Sequence, residues 1–313
     1  MERELETRLI HGEPPNVLVI GDVMVDQHVH CDVLGLSPED DLTPKVKVIR
    51  RAYSLGGAAN VAMNLRKLGA VTTLIGMVGD DEPARLLREK LSSNEIQHYF
   101  HVDSRRPTTL KTRYLTPRGR HIIRVDSEIA DVDDRFLPWL QKTVCLPDVD
   151  AVVVSDYAKG VISRPVMNLL REQLGGLLIV DPKQKLQEYG EVFAVTPNQR
   201  EFDQFINMEN FNLAKWVVIT KGQQGCTLWN SRGIREGTSG ITFPVRKREM
   251  GDPTGCGDSF VAAFTFAITR GLRPEVACRV GNAAGSVKFD HHGTYAVSIK
   301  KIVDEVYASE ENK

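Results

Sequence analysis

The stretch Gly251-Asp-Pro-Thr-Gly-Cys-Gly-Asp-Ser259 runs directly into the apolar segment Phe260-Val-Ala-Ala-Phe264. This segment lacks the alternation of a strand and continues towards Gly271, so it predicts a glycine-rich turn that leads into a buried helix. Gly255 and Gly257 carry no side chains, so backbone N–H groups at the helix start can close around an anion. The helix dipole adds partial positive charge at the same place.

Asp258 falls in the first turn of the predicted helix, beside any phosphate group that binds there. Phosphate oxygens would repel its carboxylate, and a role in taking a proton from an attacking hydroxyl group explains why a carboxylate is present. The alternative is an ordinary helix start, with Asp252 or Thr254 as the N-cap and Asp258 interacting with the dipole. The stretch is not a Walker A loop, because no Gly-Lys-Ser/Thr follows it.

The stretch resembles the Asp-Thr-x-Gly-Ala-Gly-Asp signature of the ribokinase-like (PfkB) sugar kinases, with Cys256 in place of the usual alanine. The resemblance implies a ribokinase-like α/β fold, in which a mostly parallel sheet lies between helices and a small antiparallel β lid covers the sugar. It implies phosphoryl transfer from ATP with Mg²⁺ to a sugar hydroxyl group, and it leaves a monovalent-cation requirement open. Asp258 would be the base, and the amides of Gly255, Cys256 and Gly257 would form the anion hole.

The composition is that of a soluble globular protein, with 313 residues, 42% hydrophobic and 26% charged residues, and a formal net charge of −1. This charge gives no electrostatic case for binding nucleic acid or an anionic membrane. No apolar run approaches transmembrane length, and the odd, widely spaced cysteines indicate reduced thiols, so we expect a cytoplasmic protein. We expect one kinase domain over residues 15–308, flanked by polar tails at 1–14 and 309–313.

Candidate sugar-binding residues follow the first predicted strand, residues 16–21. Asp22 and Asp26 lie beyond its carboxyl end, where open α/β sheets bind ligands, although solvated loop positions are the alternative. The sugar kinases carry a hydroxyl-binding aspartate at the position that Asp26 matches. The resemblance also identifies Gly56, Gly57 and Asn60 with the family's sugar-binding signature of two glycines followed by an asparagine, although a glycine turn with surface amides fits the residues alone.

Two pairs of segments alternate polar and apolar residues, as strands with one solvated face do. A polar turn over residues 35–44 separates the first pair. We place the lid strands within about 27–52 and 107–126, and because the family often dimerises through this sheet, we expect a homodimer. The predicted strands are 28–33, 45–49, 108–115 and 121–125.

Nucleotide contacts are predicted in the second half of the chain. A Gly-Lys turn at the end of a strand suits phosphate binding, and the family uses the turn at 220–222 for the nucleotide. Asn198 and Glu201 have the spacing of a capping box. The family instead places an Asn-x-x-Glu motif there, whose Glu201 organises Mg²⁺ through water. The nucleotide-binding candidates are Asn198, Thr220, Lys221, Gly222, Gly225, Asp252 and Asn282.

Further stretches resemble, more narrowly, the D-glycero-D-manno-heptose 7-phosphate kinase branch, the kinase half of the bifunctional enzyme of lipopolysaccharide-core heptose synthesis. This branch implies transfer to O1 of the heptose to give the 1,7-bisphosphate. No nucleotidyltransferase half follows residue 313, so we expect the stand-alone kinase form. The stretches are Gly21-Asp-Val-Met-Val-Asp26, Ser37-Pro-Glu39, Ser155-Asp-Tyr-Ala-Lys-Gly160, and Asp181-Pro-Lys183 with Thr196-Pro-Asn198.

A substrate that already carries a phosphate group needs cations near its binding site. The sequence departs from the branch at Asp40, Asp41 and Lys45, and it is shorter between Glu201 and Trp216. The alternatives are another PfkB kinase, for fructose, a ketose phosphate or a nucleoside, and a catalytically silent sugar-phosphate sensor, which would release no ADP. The substrate candidates are Lys111, Arg113, Arg124 and Lys159, on or near the lid, and Asp156. From the residues alone, a solvated position is favoured for Lys159.

Overall fold

The structure, a computed structural model, describes residues 2–131, 133–143, 148–173, 177–205, 213–231 and 239–310. The described residues form two sheets, and helices pack on both faces of the larger one. The strands are β1 (Asn16–Gly21), β2 (Val23–Ser37), β3 (Asp40–Gly57), β4 (Val71–Val78), β5 (Gln97–Val102), β6 (Thr109–Leu115), β7 (His121–Ser127), β8 (Ala151–Ser155), β9 (Leu177–Asp181), β10 (Val192–Val195), β11 (Ala214–Thr220), β12 (Cys226–Asn230) and β13 (Ile241–Phe243). The helices are α1 (Glu2–Ile10), α2 (Ala58–Lys67), α3 (Glu82–Ser92), α4 (Phe136–Thr143), α5 (Arg164–Gln173), α6 (Leu186–Tyr189), α7 (Gln199–Phe205), α8 (Cys256–Thr269), α9 (Pro274–Phe289) and α10 (Ile299–Glu310).

The larger sheet of the described chain has nine strands in the order β13-β12-β11-β10-β9-β8-β1-β4-β5. The strands from β11 to β5 run parallel, and β12 and β13 add an antiparallel edge. Alternate residues of β1 enter two separate cores. Val17 and Val19 pack with α2, α8 and α9, whereas Leu18 and Ile20 pack with α4 and α5. Burial on both faces explains the continuous apolar runs and confirms the predicted mostly parallel sheet between helices.

The smaller sheet has the strand order β3-β2-β6-β7. Its outer pairs, β2 with β3 and β6 with β7, are antiparallel as predicted. The central pair, β2 with β6, is parallel. β2 follows β1 and β6 follows β5 along the chain, and β1 and β5 are parallel strands of the larger sheet. Both connections therefore start at the carboxyl ends of those strands. β2 and β6 therefore run in the same direction.

The predicted turn over residues 35–44 is wrong. β2 continues to Ser37 and β3 begins at Asp40, so the turn is confined to Pro38 and Glu39. Pro44 was the misleading signal, since it pairs with Leu36 within the ladder. β3 is an edge strand, and an edge strand tolerates a proline that donates no hydrogen bond.

The predicted polar tail at residues 1–14 contains helix α1. Leu9 is 1% exposed and Leu5 packs against the same core, so the two leucines form one apolar stripe on a mostly charged helix. At the other end α10 extends to Glu310, and residues 311–313 lie outside the described residues. Residues 206–212, where the chain was expected to be trimmed, also lie outside them.

The carboxyl ends of the parallel strands and the amino-terminal ends of α2 and α8 meet at one edge of the larger sheet. β2 and β3 of the smaller sheet lead away from this edge, because β2 follows β1 and β3 runs directly into α2. Ligands of such sheets bind at this edge. None of the helices among the described residues combines the length and the apolar character needed to cross a membrane.

Candidate active site

The start of α8 is built around Gly255, which is its N-cap and has a φ of +78°. Any larger residue would be strained there, and a Cβ atom would lie 2.8 Å from Nδ2 of Asn60. Helix geometry leaves the N–H groups of Gly257 and Asp258 without partners inside the helix, so they can bind an anion. The N–H group of Cys256 instead donates to the carbonyl of Pro253 at 3.2 Å. The turn itself therefore uses one of the amides predicted to form the anion hole.

Asp258 lies in the first turn of α8 with its carboxylate held by two donors. Nδ2 of Asn60 donates to Oδ2 and the hydroxyl of Tyr157 donates to Oδ1, both at 2.7 Å. Burial raises the pKa of Asp258, and these two hydrogen bonds offset part of the increase. A carboxylate with a raised pKa and a fixed orientation is a better proton acceptor than a solvated aspartate.

Tyr157 is a site residue that sequence reasoning missed. It lies in the loop after β8, and its ring has Nζ of Lys111 at 5.1 Å and Nζ of Lys183 at 5.9 Å from the ring centroid. Burial raises the pKa of Tyr157 well above its usual value, so the hydroxyl stays protonated and donates to Asp258. The sequence feature that could have identified Tyr157 is its position between Asp156 and Lys159, directly after a buried strand, where this type of fold places functional side chains.

Asn60 and Asp26 lie close to Asp258, where the two sheets meet. The backbone oxygen of Asn60 accepts from Nδ2 of Asn64 at 2.9 Å, which ties the first turn of α2 together. Asp26 is buried on β2 and forms an ion pair with Arg113 of β6. A Cβ atom at Gly56 would lie 2.5 Å from Oδ2 of Asp26, so only glycine lets β3 approach this carboxylate. The two sheets thus bring Asn60, Asp26 and Asp258 to one place.

A cleft with a volume of about 370 Å³ lies beside the start of α8. Cys256 and Gly257 form one part of its wall, and Phe260 and Phe289 provide apolar surface. Four of the residues predicted to bind nucleotide also line it. They are Thr220, Gly222, Gly225 and Asn282. The cleft therefore offers backbone amides that can bind phosphate groups and an apolar wall that suits the nucleobase of a nucleotide.

Residues 14–301 match the family described as pfkB family carbohydrate kinase. The chain belongs to this family. This membership confirms the resemblance that the sequence of the α8 start suggested. Members of the pfkB family are phosphotransferases that act on hydroxyl groups, and the placement of Asp258 beside a nucleotide-sized cleft agrees with that chemistry.

One relative of this pfkB kinase is the "Bifunctional protein HldE" of Vibrio cholerae, with 32% identity over 313 residues. The alignment covers 94% of this chain, and the chain spans 64% of that relative's length. Phosphofructokinase-2 from Escherichia coli superposes with a TM-score of 0.74 at 18% identity, covering 95% of this chain and 99% of that one. Ribokinase from Thermotoga maritima gives a TM-score of 0.69 at 20% identity, with 94% and 99% covered. These structures confirm the ribokinase-like fold.

Asp22 and Asp156, which the sequence predicts to bind the sugar, have their carboxylates engaged by groups of this pfkB kinase itself. The carboxylate of Asp22 is 2% exposed and accepts from the backbone N–H groups of Tyr157, Lys159 and Val161 at 2.7, 3.1 and 3.4 Å. The carboxylate of Asp156 accepts from Ala158 N and from the side chains of Gln184 and Tyr189. Both carboxylates hold the loop after β8. Burial raises the pKa of Asp22 most, the negative charge of the neighbouring Asp156 adds to this, and the pKa reaches about 6.

Three of the four cations predicted to bind the sugar phosphate are paired with carboxylates. Arg113 neutralises Asp26, Nζ of Lys159 lies 2.5 Å from Glu128, and Arg124 makes two hydrogen bonds of 2.8 and 2.6 Å to Asp126. Lys111 is the fourth, and within the described part of the chain its ammonium group has no carboxylate at ion-pair distance. It lies over Tyr157, next to the carboxylate of Asp258. Lys111 is therefore the cation best placed to meet an anionic ligand.

Asp252 and Lys221 take part in the hydrogen bonds of two turns near the cleft. The carboxylate of Asp252 accepts from the N–H groups of Thr254 at 2.9 Å and Gly293 at 2.7 Å. The N–H group of Lys221 donates to the carbonyl of Gly225 at 2.8 Å, which closes the turn after β11. Both oxygens of the Asp252 carboxylate accept hydrogen bonds inside the protein, and the nucleotide contact of Asp252 stays a prediction.

Asn198 and Glu201 form the capping box that their spacing indicated. The N–H of Glu201 donates to Oδ1 of Asn198 at 3.0 Å, and the N–H of Asn198 donates to Oε2 of Glu201 at 2.8 Å. The other carboxylate oxygen of Glu201 pairs with Lys183. The side chain of Asn198 therefore caps the helix. Its backbone forms an isolated β-bridge with Thr220, which lines the cleft.

The residues present fit a Mg²⁺ ion that arrives with a phosphate ligand. Among the described residues, no group of three or more His, Cys, Asp or Glu side chains could hold a metal ion alone. Mg²⁺ in phosphoryl-transfer sites keeps several waters and takes only one or two carboxylates. Burial, followed by the nearby Glu201 and Asp258, raises the pKa of Asp181 to about 8. A cation would relieve this accumulation of negative charge, so Asp181 and Glu201 are the fitting carboxylates.

Proposed function

We propose that this pfkB kinase transfers the terminal phosphoryl group of ATP to O1 of D-glycero-D-manno-heptose 7-phosphate and so forms the 1,7-bisphosphate. The observation that carries the phosphoryl-transfer part is the carboxylate of Asp258, fixed by Asn60 and Tyr157 at the amide-lined start of α8. The carboxylate lies between the cleft proposed to bind the nucleotide and the sheet that carries Asp26 and Lys111.

Asp258 acts as the general base in this proposal. It takes the proton of the acceptor hydroxyl group as that oxygen forms its bond to the γ-phosphorus. The bond between the γ-phosphorus and the bridging oxygen breaks, and ADP leaves with that oxygen. The N–H groups of Gly257 and Asp258 and the positive end of the α8 dipole stabilise the negative charge on the transferred phosphoryl group. Asp26, Gly57 and Asn60 hold the sugar.

ATP enters the cleft with Mg²⁺, which neutralises charge on the phosphate groups when bound. Glu201 and Asp181 would hold the ion, and Lys183 fixes the Glu201 carboxylate. We place the enzyme in the cytoplasm, where ATP is available. The free thiols of Cys31, Cys226, Cys256 and Cys278 in the described chain are compatible with a reducing compartment.

The choice of heptose 7-phosphate is supported by the short stretches that resemble the heptose kinase branch. The identity to proteins named Bifunctional protein HldE points in the same direction. The position of Lys111 adds a physical reason, since its ammonium group lies by the acceptor side of Asp258 without a carboxylate partner in the described chain. A phosphate group on the acceptor would supply that partner.

We also propose a homodimer formed through the smaller sheet. Exposed apolar side chains are concentrated on β2, β3 and β7, including Leu34, Ile49 and Ile123, which are 57%, 54% and 56% exposed. An exposed apolar surface of this kind is typical of a protein–protein contact. Dimerisation would cover this surface next to the sugar site.

A substrate panel tests the proposal. Coupled ADP detection with MgATP compares D-glycero-D-manno-heptose 7-phosphate with fructose, fructose 6-phosphate, ribose and adenosine. We expect kcat/KM for the heptose phosphate to exceed that for the unphosphorylated acceptors by about 100-fold or more, because the ammonium group of Lys111 lacks an anionic partner when the acceptor carries no phosphate. Preference for another acceptor would replace the heptose assignment. Stabilisation by a sugar phosphate without ADP release would instead identify a sensor.

A further inference from the structure

A buried lysine lies directly beneath the turn that begins α8. Lys288 is in the last turn of α9 and is 0% exposed. Its ammonium group donates to the backbone carbonyl of Asp252 at 2.8 Å and to that of His291 at 2.9 Å. A lysine is among the residues least often fully buried, because removing its charge from water is costly unless it is compensated.

The compensation for Lys288 comes from carbonyl dipoles. In the part of the chain that the structure describes, no carboxylate lies within ion-pair distance of this ammonium group. Its partners are carbonyl oxygens, and the group lies at the carboxyl end of α9, where the helix dipole favours a cation. A small cavity lined by carbonyl oxygens is also the environment that proteins build for monovalent metal cations.

The two carbonyls belong to segments on either side of the catalytic turn. Asp252 is held by further bonds, since its N–H donates to the carbonyl of Phe289 at 2.8 Å and its carboxylate accepts from Gly293 at 2.7 Å. The residues that follow Asp252 form the turn to Gly255 and then the first turn of α8. The ammonium group therefore ties the amide-bearing turn to the end of α9.

We propose that Lys288 is a positioning residue that acts as a built-in monovalent cation, so that this kinase keeps the α8 turn in its active shape without a potassium or ammonium ion. The inference rests on the phosphoryl-transfer role of the α8 start and does not depend on which sugar is the acceptor. Lys288 also places a positive charge near Cys256 and Asp258, at the point where the transferred phosphoryl group gains negative charge.

The wild-type enzyme gives the first test. Its kcat is measured with potassium, ammonium or tetramethylammonium chloride at equal ionic strength, using whichever acceptor the panel identifies. We expect the three rates to agree within about twofold, since the carbonyl oxygens are already occupied. Stimulation by potassium of about tenfold or more over tetramethylammonium would overturn the proposal.

Variants give the second test. Lys288→Met keeps most of the volume and removes the charge, and we expect kcat to fall about 100-fold while the KM of the sugar changes little, because the turn is misplaced and the sugar contacts are not. Lys288→Ala leaves room for a soluble cation, and propylammonium should restore part of kcat. Lys300→Met is the matched control, because Lys300 is an exposed lysine of α10. A wild-type kcat in Lys288→Met, or a folded Lys288→Ala that propylammonium leaves inactive, would overturn the proposal.

A measurement without substrates separates this inference from the proposed function. The melting temperature of the wild type should be the same in potassium and tetramethylammonium, whereas that of Lys288→Ala should rise with propylammonium. These results are expected even if the acceptor is not a heptose phosphate. A wild-type melting temperature that rises specifically with potassium would show that the cation site is open and would contradict the role given to Lys288.

Discussion

The hydroxyl group of Tyr157 donates a hydrogen bond of 2.7 Å to the carboxylate of Asp258, although 101 residues separate them in the chain. Asn60 donates to the other carboxylate oxygen from a third part of the chain. The orientation of the proposed base is thus set by two neutral donors, which stabilise its charged form. The pKa of Asp258 reflects this balance between burial and donation.

Replacement of Tyr157 by phenylalanine tests this relationship through the pH profile. Loss of the O–H donor removes stabilisation of the charged carboxylate, so the pKa of Asp258 rises further. The acidic limb of kcat/KM, which reports the free enzyme, should therefore move to higher pH. We also expect kcat to fall by about tenfold, as loss of a hydrogen bond to a charged group does.

Tyr99→Phe is the matched control for this variant, because Tyr99 lies on β5 and accepts a hydrogen bond from Gln97 at the protein surface. Its pH profile should be that of the wild type. An acidic limb in Tyr157→Phe that stays in place, or moves to lower pH, would contradict the proposed hydrogen-bond role.

Removal of the charge of Lys111 should weaken acceptor binding selectively. Lys111→Met is expected to raise the KM of the sugar phosphate by about tenfold or more, because a charge-assisted contact to phosphate is lost, and to leave the KM of ATP nearly unchanged. Arg124→Met is the control, since Arg124 is already paired with Asp126. Steady-state kinetics with both substrates varied would reject the assignment if both KM values rose equally.

Much of the fold could be predicted because it depends on local patterns. Parallel strands buried on both faces, such as β8, appear as continuous apolar runs. The start of α8 could be predicted because a short local pattern marks it: Gly255 is the N-cap and Asp258 lies in the first turn. Helix α1 was missed because only Leu5 and Leu9 form its buried stripe among mostly charged residues, and the extent of β2 was missed because its outer half is solvated on both faces.

The roles of individual polar residues depended on contacts between distant parts of the chain. Asp22 was expected to meet the sugar, but the fold places backbone N–H groups from residues 157–161 over its carboxylate. Arg113 was expected to be available for phosphate, but β6 lies next to β2 and brings it to Asp26. Lys288 has the sequence position of a surface lysine at a helix end. Only the packing of α9 against the α8 turn shows that it is buried.

The stability of the protein should depend on the ionisation of Asp181. Its pKa in the folded state, about 8, lies above that of an unfolded aspartate, so folding favours the neutral form. The free energy of unfolding therefore falls as the pH rises from about 4 to about 8, and no further change follows from this group above that range. Asp181→Asn removes this dependence.

Urea unfolding of wild type and Asp181→Asn across that interval measures the effect. The stability of the variant relative to the wild type should increase with pH, by a difference on the order of a few kcal/mol. Asp304→Asn, at an exposed position of α10, is the control and should show no such trend. A constant difference between Asp181→Asn and the wild type at every pH would contradict the raised pKa.

Self-association should depend on the apolar surface of the smaller sheet. Ile49→Lys places a charge on this surface and should convert the dimer to a monomer in size-exclusion chromatography with light scattering. Val71→Lys is the control, because Val71 is similarly exposed, at 56%, on the larger sheet. A wild-type protein that is monomeric at all concentrations, or an Ile49→Lys variant that remains dimeric, would remove the smaller sheet as the interface.

The most direct test of the account is the rate of ADP formation by Asp258→Asn with MgATP and the best acceptor of the panel. The asparagine keeps the size of the side chain and can still contact Asn60 and Tyr157, but it cannot take a proton. We predict that kcat falls by about 10²–10⁴-fold while both substrates still bind. A variant with a rate close to that of the wild type would contradict the assignment of Asp258 as the base.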